Sequence, residues 1–292
     1  MTPANAALLT DLYELRMAQA YLAEQMTGPA VFTLSCRTLP PQRNYAIACG
    51  LDDVLHFIES LRVDGAALDY LRTVGGFTED FLRWLGTLHF TGDVFALPEG
   101  TPVFPGEPIL EVVAPLPQAQ LLETLVMNQV HVQTVLASKA ARLVTAAAGA
   151  PVIDFGLRRT HGTDAGMKAA RASYAVGFAG TSNVLAGQVY GLPVIGTMAH
   201  SYVQAHDHEI DAFRAFARQY PDATLLVDTY DTLRGVDHVI ALARELGPAF
   251  RIRQVRLDSG DLAALAAAAR QKLDAAGLSQ VGIVASGGLD EH

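Results

Sequence analysis

The stretch IRQVRLDSGDL (residues 252–262) decides the fold. It reads as a short apolar strand that ends in a polar Asp-Ser-Gly turn and runs straight into a helix start, with Asp258 or Ser259 available as N-cap. The same pattern returns through the second half of the chain. It is visible in VIDFG (152–156), AVGFAGTS (175–182), LPVIGT (192–197), TLLVDT (224–229) and VGIVASGG (281–288), each short apolar run being followed by polar residues and most by an amphipathic helical segment. Strands alternating with helices at intervals of roughly 20 to 30 residues imply a parallel sheet with helical crossovers, either doubly wound or curled into a barrel. In both architectures the loops after the strand ends build the active site. Those positions carry Asp154, Phe155, Arg158, Ser182, His200, Asp228, Asp258 and Ser286.

Ahead of this half the pattern is different. Thr10 is placed to cap a helix through DLYELRMAQAYLAEQ (11–25), with Leu12, Leu15, Met17 and Tyr21 as its apolar stripe. Residues 92–116, punctuated by Pro and Gly, predict short strands joined by turns. Residues 117–149 predict one long bridging helix stopped by Gly149. The expected organisation is therefore an N-terminal α+β region over residues 1–149, followed by an α/β barrel domain over 150–292.

Composition narrows the function classes. The 292 residues are 50% hydrophobic, enough for a large core, and 21 basic against 30 acidic side chains give a formal charge of −9. That balance argues against nucleic acid or an anionic membrane as the main partner, so an anionic substrate needs a locally basic pocket. Two cysteines, Cys36 and Cys49, make neither a disulfide framework nor a four-ligand zinc site. With no basic leader and no uncharged membrane-length segment, a cytoplasmic protein is expected.

Several constellations carry chemistry. In ASGG (285–288), Gly287 and Gly288 let backbone N–H groups approach a phosphate at a helix start, although an ordinary strand-to-helix turn has the same composition. Asp258 can accept hydrogen bonds from vicinal ribose hydroxyls, and Arg256 can hold a phosphate or carboxylate. Asp228 is a strand-end acid able to orient a histidine. His200, His206 and His208 lie close together, but the last two lack the i, i+4 spacing of a zinc helix and read as a polar helix surface with Asp207 and Glu209. His200 follows an apolar run, where catalytic groups sit. Phe155 offers an aromatic plate and Arg158 a guanidinium, in a loop that Arg159, His161 and Lys168 make cationic.

Taken together, LLTDLYEL, RNYAIACGLDDVL, PEGTPVFPGEPILEV, DFGLRRTHG, GFAGTSNVLAG, GTMAHS, VDTYDT, RLDSGDL and ASGGLDE resemble the nicotinate phosphoribosyltransferase family over nearly the whole chain. The resemblance implies an irregular, incomplete α/β barrel of the type II phosphoribosyltransferases. It also implies a reaction that joins nicotinate to 5-phosphoribosyl 1-diphosphate with coupled ATP hydrolysis, ATP acting as co-substrate and Mg²⁺ held largely by substrate phosphates. No metal is expected on protein ligands alone.

Residue by residue, the resemblance gives His200 the role of phosphoacceptor and makes Asp228 its orienting partner. Phe155 would stack on nicotinate. Asp11 and Tyr13 would reach the same site from the partner subunit of a head-to-tail homodimer, with Arg37 reaching the diphosphate from there too. Arg158 and Arg256 would meet substrate anions, Asp258 the ribose hydroxyls, and Gly287 and Gly288 the 5-phosphate. Ser182 stands where nicotinamide-using relatives carry an acid, so a substrate carboxylate meets no repulsion. The family continues beyond residue 292 with a second glycine-rich phosphate loop, so half of the expected phosphate cradle is missing from this chain. Two other readings stay open: a quinolinate-type phosphoribosyltransferase, and a truncated inactive dimerisation partner.

Overall fold

In the computed structural model, residues 6–292 are described; the first five, part of the stretch read above for a leader, lie outside. Contacts divide the chain into two compact units, one running to Val194 and the other over residues 195–290. The pattern change at residue 150 and this division differ because the first elements after it pack on the long helix before it.

In the first unit, β1 (Pro29–Ser35), β5 (Pro108–Pro115) and β3 (Asp93–Ala96) form an antiparallel sheet in the order β1-β5-β3, while β2 (Ala46–Ile47) pairs with β4 (Pro102–Val103). On β5 the alternate residues Leu110, Val112 and Ala114 are buried and Glu111 and Val113 are not, the period-2 pattern of a sheet with one face on a core. That core is completed by α1 (Leu12–Ala23), α2 (Leu51–Ser60), α3 (Gly65–Val74), α4 (Glu79–Gly86), α5 (Leu116–Gln120) and α6 (Glu123–Ala146). The caps of α3 and α4 follow ordinary capping chemistry: Asp64 accepts from Ala67 N at 2.8 Å, and Thr78 accepts from Phe81 N at 3.2 Å.

Two helical expectations need correction here. The long bridging segment is α5 and α6, separated at Leu121 and Leu122, rather than one rod. Helix α1 has Asp11, not Thr10, at its N-cap, and no side chain caps it. The Thr10 hydroxyl donates instead to Glu14, and the Asp11 carboxylate lies 3.0 Å from the Thr124 hydroxyl, whose single hydrogen goes to the closer Glu14. The buried face of α1 is Glu14, Leu15 and Ala18, whereas Leu12 and Met17 are exposed. Glu14 breaks the apolar stripe because the backbone N–H and hydroxyl of Thr124 satisfy its carboxylate at 2.9 and 2.7 Å.

The unit closes with β6 (Ile153–Asp154), α7 (Thr163–Ala175), β7 (Gly180–Thr181) and α8 (Val184–Tyr190). Strands β6 and β7 pair in parallel, Ile153 with Gly180 and Asp154 with Thr181, and Val194 adds a single bridge to Thr181. Helix α7 packs along α6.

The second unit holds α9 (His200–Gln204), α10 (Glu209–Gln219), α11 (Thr232–Leu246) and α12 (Leu262–Ala275) around β8 (Thr224–Leu226), β9 (Gln254–Leu257) and β10 (Gly282–Ala285). The three strands are parallel in the order β10-β9-β8, with Leu226, Arg256 and Val284 in register. Leu225, Val255 and Leu257 are fully buried against Val236, Val239, Leu242, Ala269 and Leu273. Each such side chain contributes roughly 1.5–3 kcal/mol. Asp231 and Asp261 cap α11 and α12 through Arg234 N and Ala264 N, so Asp258 and Ser259 are left for other work. Among the described residues no helix is long and apolar enough to cross a membrane.

Candidate functional site

The C-terminal ends of β8, β9 and β10 converge on one polar cluster. Ladder bonds continue one step past the strands, from Val227 N to Arg256 O at 3.1 Å and from Ser286 N to Leu257 O at 2.9 Å, so the following loops leave side by side. Arg256 is buried at the centre. Its Nε donates to the Ser286 hydroxyl (2.8 Å), its Nη1 to Thr197 Oγ1 (2.9 Å) and Met198 O (3.4 Å), and its Nη2 to Asp258 Oδ1 (2.7 Å). These bonds tie the loop ends together, which its sequence position did not reveal.

Asp258 Oδ1 also accepts from the Ser286 hydroxyl at 2.5 Å. Burial works to raise the Asp258 carboxyl, but the hydrogen bonds from Ser286 and Arg256 and the positive charge of Arg256 outweigh it, holding the group below the usual carboxylate range. It is an anion at neutral pH. Its second oxygen, Oδ2, lies 3.6 Å from His200 Nε2, beyond a hydrogen bond but within ion-pair reach of a protonated ring.

His200 begins α9 and is partly exposed; its Nδ1 pairs with the Thr229 hydroxyl at 3.1 Å. Asp228 is turned elsewhere. Its Oδ2 accepts from Asp258 N at 3.0 Å and from the Ser259 hydroxyl at 2.5 Å, so the expected orienting partner of His200 shapes the Asp258 turn and Thr229 holds the ring. Thr229, Ser259 and Thr197 were missed because short hydroxyl residues at strand ends look like turn formers. Only the adjacency of Thr229 to Asp228 in VDTYDT hinted at it.

The other two histidines need correction as well. Helix α9 stops at Gln204, His206 Nδ1 meets Tyr202 O at 2.9 Å, and His208 is the N-cap of α10. Glu209 is buried against His238, with Nδ1 to Oε2 at 2.8 Å, rather than on a polar surface.

Beyond β10, Gly287 and Gly288 both have left-handed backbone, φ 96° and 71°. A Cβ on Gly287 would stand 2.1 Å from Asp258 O, whereas one on Gly288 would meet nothing within 4 Å. Gly287→Ala is accordingly expected to displace the Asp258 loop and destabilise the fold by about 2 kcal/mol or more, with Gly288→Ala milder. Urea denaturation of both variants checks this, and equal effects would remove the steric argument.

The first unit carries the remaining sequence-derived residues. Phe155 and Ser182 stand one position past the paired ends of β6 and β7, and Ser182 N donates to Asp154 O at 2.8 Å. Both are half-buried, and Arg158 is exposed on the turn Leu157–Arg159. Lys168 does not belong to that cationic loop. It is buried in α7 and pairs with Asp53 at 3.0 Å. Tyr13 is exposed on α1, where partial burial and the Glu123 carboxylate, 3.0 Å from the hydroxyl, push its phenol up to about 12. Arg37 is exposed just past β1, on a groove of about 820 Å³ lined by Leu34, Met127, His131 and Val135.

Comparison with known proteins accords with this layout. The N-terminal domain model of nicotinate phosphoribosyltransferase matches residues 8–131, and the nicotinate phosphoribosyltransferase family model matches residues 151–292. A nicotinate phosphoribosyltransferase of Mycobacterium tuberculosis, pncB2, is 62% identical over 98% of this chain and 62% of its own length. One from Bacillus subtilis is 43% identical over 99% of this chain and 59% of its own. The crystal structure of human nicotinic acid phosphoribosyltransferase superposes with a TM-score of 0.90 at 34% identity, covering 97% of this chain and 69% of that one. The chain spans about three fifths of the length of the curated relatives it matches. The fold is the α/β fold of the type II phosphoribosyltransferases, as the strand–helix alternation and the motif resemblance led us to expect. By sequence and by fold, the chain belongs to the nicotinate phosphoribosyltransferase family.

Proposed function

We propose that this protein takes part in the ATP-coupled synthesis of nicotinate mononucleotide and diphosphate from nicotinate and 5-phosphoribosyl 1-diphosphate. The observation that carries the reading is the cluster at the ends of β8, β9 and β10, where an anionic Asp258, a Thr229-held His200 and two left-handed glycines face one set of loop ends. Asp258 is suited to the ribose hydroxyls and the Gly287–Gly288 turn to the 5-phosphate. His200 is the candidate phosphoacceptor for ATP, its ring fixed by Thr229 and its charge balanced by Asp258. In the first unit, Phe155 offers a face for the pyridine ring, Ser182 a hydroxyl and Arg158 a cation for the carboxylate.

No protein nucleophile is needed at the ribose, since the pyridine nitrogen can attack C1 as diphosphate leaves. The protein's contribution is positioning and charge. Asp228 Oδ1 is buried without a hydrogen-bond partner among the described residues. With the Asp258 carboxylate, it supplies oxygen donors suited to Mg²⁺ carried by the substrate phosphates, and the cation would neutralise charge on the leaving diphosphate. A homodimer is part of the proposal: Asp11, Tyr13 and Arg37 are surface groups suited to a neighbouring subunit's site, and exposed Met127 and Val135 on the Arg37 groove favour a covered face. A cytoplasmic location fits the same chemistry.

The test is a paired assay with Mg-ATP and phosphoribosyl diphosphate, offering nicotinate or nicotinamide. Nicotinate is expected to be converted with a kcat/KM at least about a hundredfold higher, because Ser182 presents no acid to the carboxylate. Equal use of both, or turnover indifferent to ATP, would sink the reading.

A further inference from the structure

The two residues proposed to contact the pyridine ring are held by one buried carboxylate. Asp154 is the last residue of β6 and nine-tenths buried. Its Oδ1 accepts from Gly156 N at 2.8 Å, which bends the chain directly after the strand and puts Phe155 at the apex of the bend. Its Oδ2 accepts from the Thr181 hydroxyl at 2.7 Å, and its main-chain oxygen accepts from Ser182 N at 2.8 Å. Thr181 is fully buried, and its Oγ1 in turn accepts from Asn183 N at 3.0 Å. Asn183 continues the chain of contacts by capping α8 through Ala186 N at 3.1 Å.

The proton inventory of this chain is one-directional. Thr181 Oγ1 has a single hydrogen and already accepts from a backbone N–H, so that hydrogen must go to Asp154. Both Asp154 oxygens therefore act as acceptors, a demand that an ionised carboxylate meets and an amide does not. An asparagine there could keep Gly156 N on its oxygen, but it would turn an NH₂ towards Thr181 and leave the threonine hydrogen without an acceptor in a buried place. A Cβ on Gly156 would sit 3.0 Å from Asp154 Oδ1, so the bend is tight around the same oxygen.

We infer that Asp154, acting through Thr181 and Gly156, is a positioning residue that sets Phe155 and Ser182 for the aromatic acid substrate. This rests on the nicotinate reading above. It adds that affinity for the pyridine is governed by a hydrogen-bond chain in the first unit, separately from the His200 cluster, which lies wholly in the second.

The experiment measures KM for nicotinate, KM for phosphoribosyl diphosphate and ATP-dependent labelling of His200 in five forms of the protein: wild type, Asp154→Asn, Asp154→Ala, Thr181→Val and Thr181→Ser. Asp154→Asn and Thr181→Val are expected to raise the nicotinate KM about tenfold or more, with Asp154→Ala worse. Thr181→Ser, which keeps the hydroxyl, is expected to restore it to within about twofold of wild type. The other KM and the label should stay within about twofold throughout. A nicotinate KM that does not move in Thr181→Val, or one that moves only together with the labelling and the other KM, overturns the inference. If Asp154→Ala does not fold, the Thr181 pair decides. A wild-type protein that converts no nicotinate would instead overturn the function on which the inference stands, and the two failures are thereby told apart.

Discussion

Replacing His200 by alanine is expected to abolish acid-labile labelling from γ-labelled ATP and to lower ATP hydrolysis by about a thousandfold or more, the scale of losing a nucleophile rather than a contact. The argument starts from its surroundings. Thr229 occupies Nδ1 at 3.1 Å, and Asp258 Oδ2 faces Nε2 from 3.6 Å, so the ring is held by one hydroxyl on one side and met by an anion on the other. An imidazolium has a fixed environment waiting for it, with no need to reorganise the loops. In the proposed reaction the pyridine nitrogen attacks C1, so the alanine variant should retain a slow transfer that no longer responds to ATP. Thr229→Val should leave labelling possible but about tenfold slower, as suits the loss of one hydrogen bond to a reacting ring. Label persisting in the alanine variant would move the phosphoacceptor elsewhere.

Arg256→Ala is expected to cost the second unit about 2–3 kcal/mol of stability and to weaken phosphoribosyl diphosphate binding by about a hundredfold. The guanidinium joins Ser286 after β10, Asp258 after β9, and Thr197 and Met198 ahead of α9. Removing it leaves Asp258 without its cationic partner and the hydroxyls of Ser286 and Thr197 without their donor. Arg256→Lys should recover little, since a single ammonium cannot reach acceptors spread around a planar fork. Urea denaturation followed by titration with phosphoribosyl diphosphate separates the two losses. A variant of unchanged stability that binds weakly would return Arg256 to the substrate-clamp role.

The sequence made the sheet of the second unit legible because strand period, polar turn and helix start recur there, and those signals are local. It also put Asp258 and Gly287 past strand ends, where position and residue type coincide, whereas the run before His200 makes only the Val194 bridge and His200 itself begins α9. What escaped was partnership. Nothing in VDTYDT says that Thr229 rather than Asp228 meets the imidazole, because the choice depends on where the Asp258 turn presents its N–H. The loop-tying bonds of Arg256 were hidden for the same reason: its acceptors come from segments far apart in the chain. Glu14 was hidden in an apparently apolar stripe, and Lys168 in an apparently cationic loop, since burial of a charge is decided by a distant partner.

The Glu14–Thr124 contact joins positions 110 residues apart. Closing so long a span is entropically slow to begin and brings little return until the intervening elements are in place. During synthesis, helix α1 must therefore wait, its carboxylate hydrated, until the start of α6 has left the ribosome. Tyr13, fastened to Glu123 beside that contact, acquires its final orientation only then. A segment made well before its partner is thus among the last to be secured, and by the same logic it is an early one to loosen under strain.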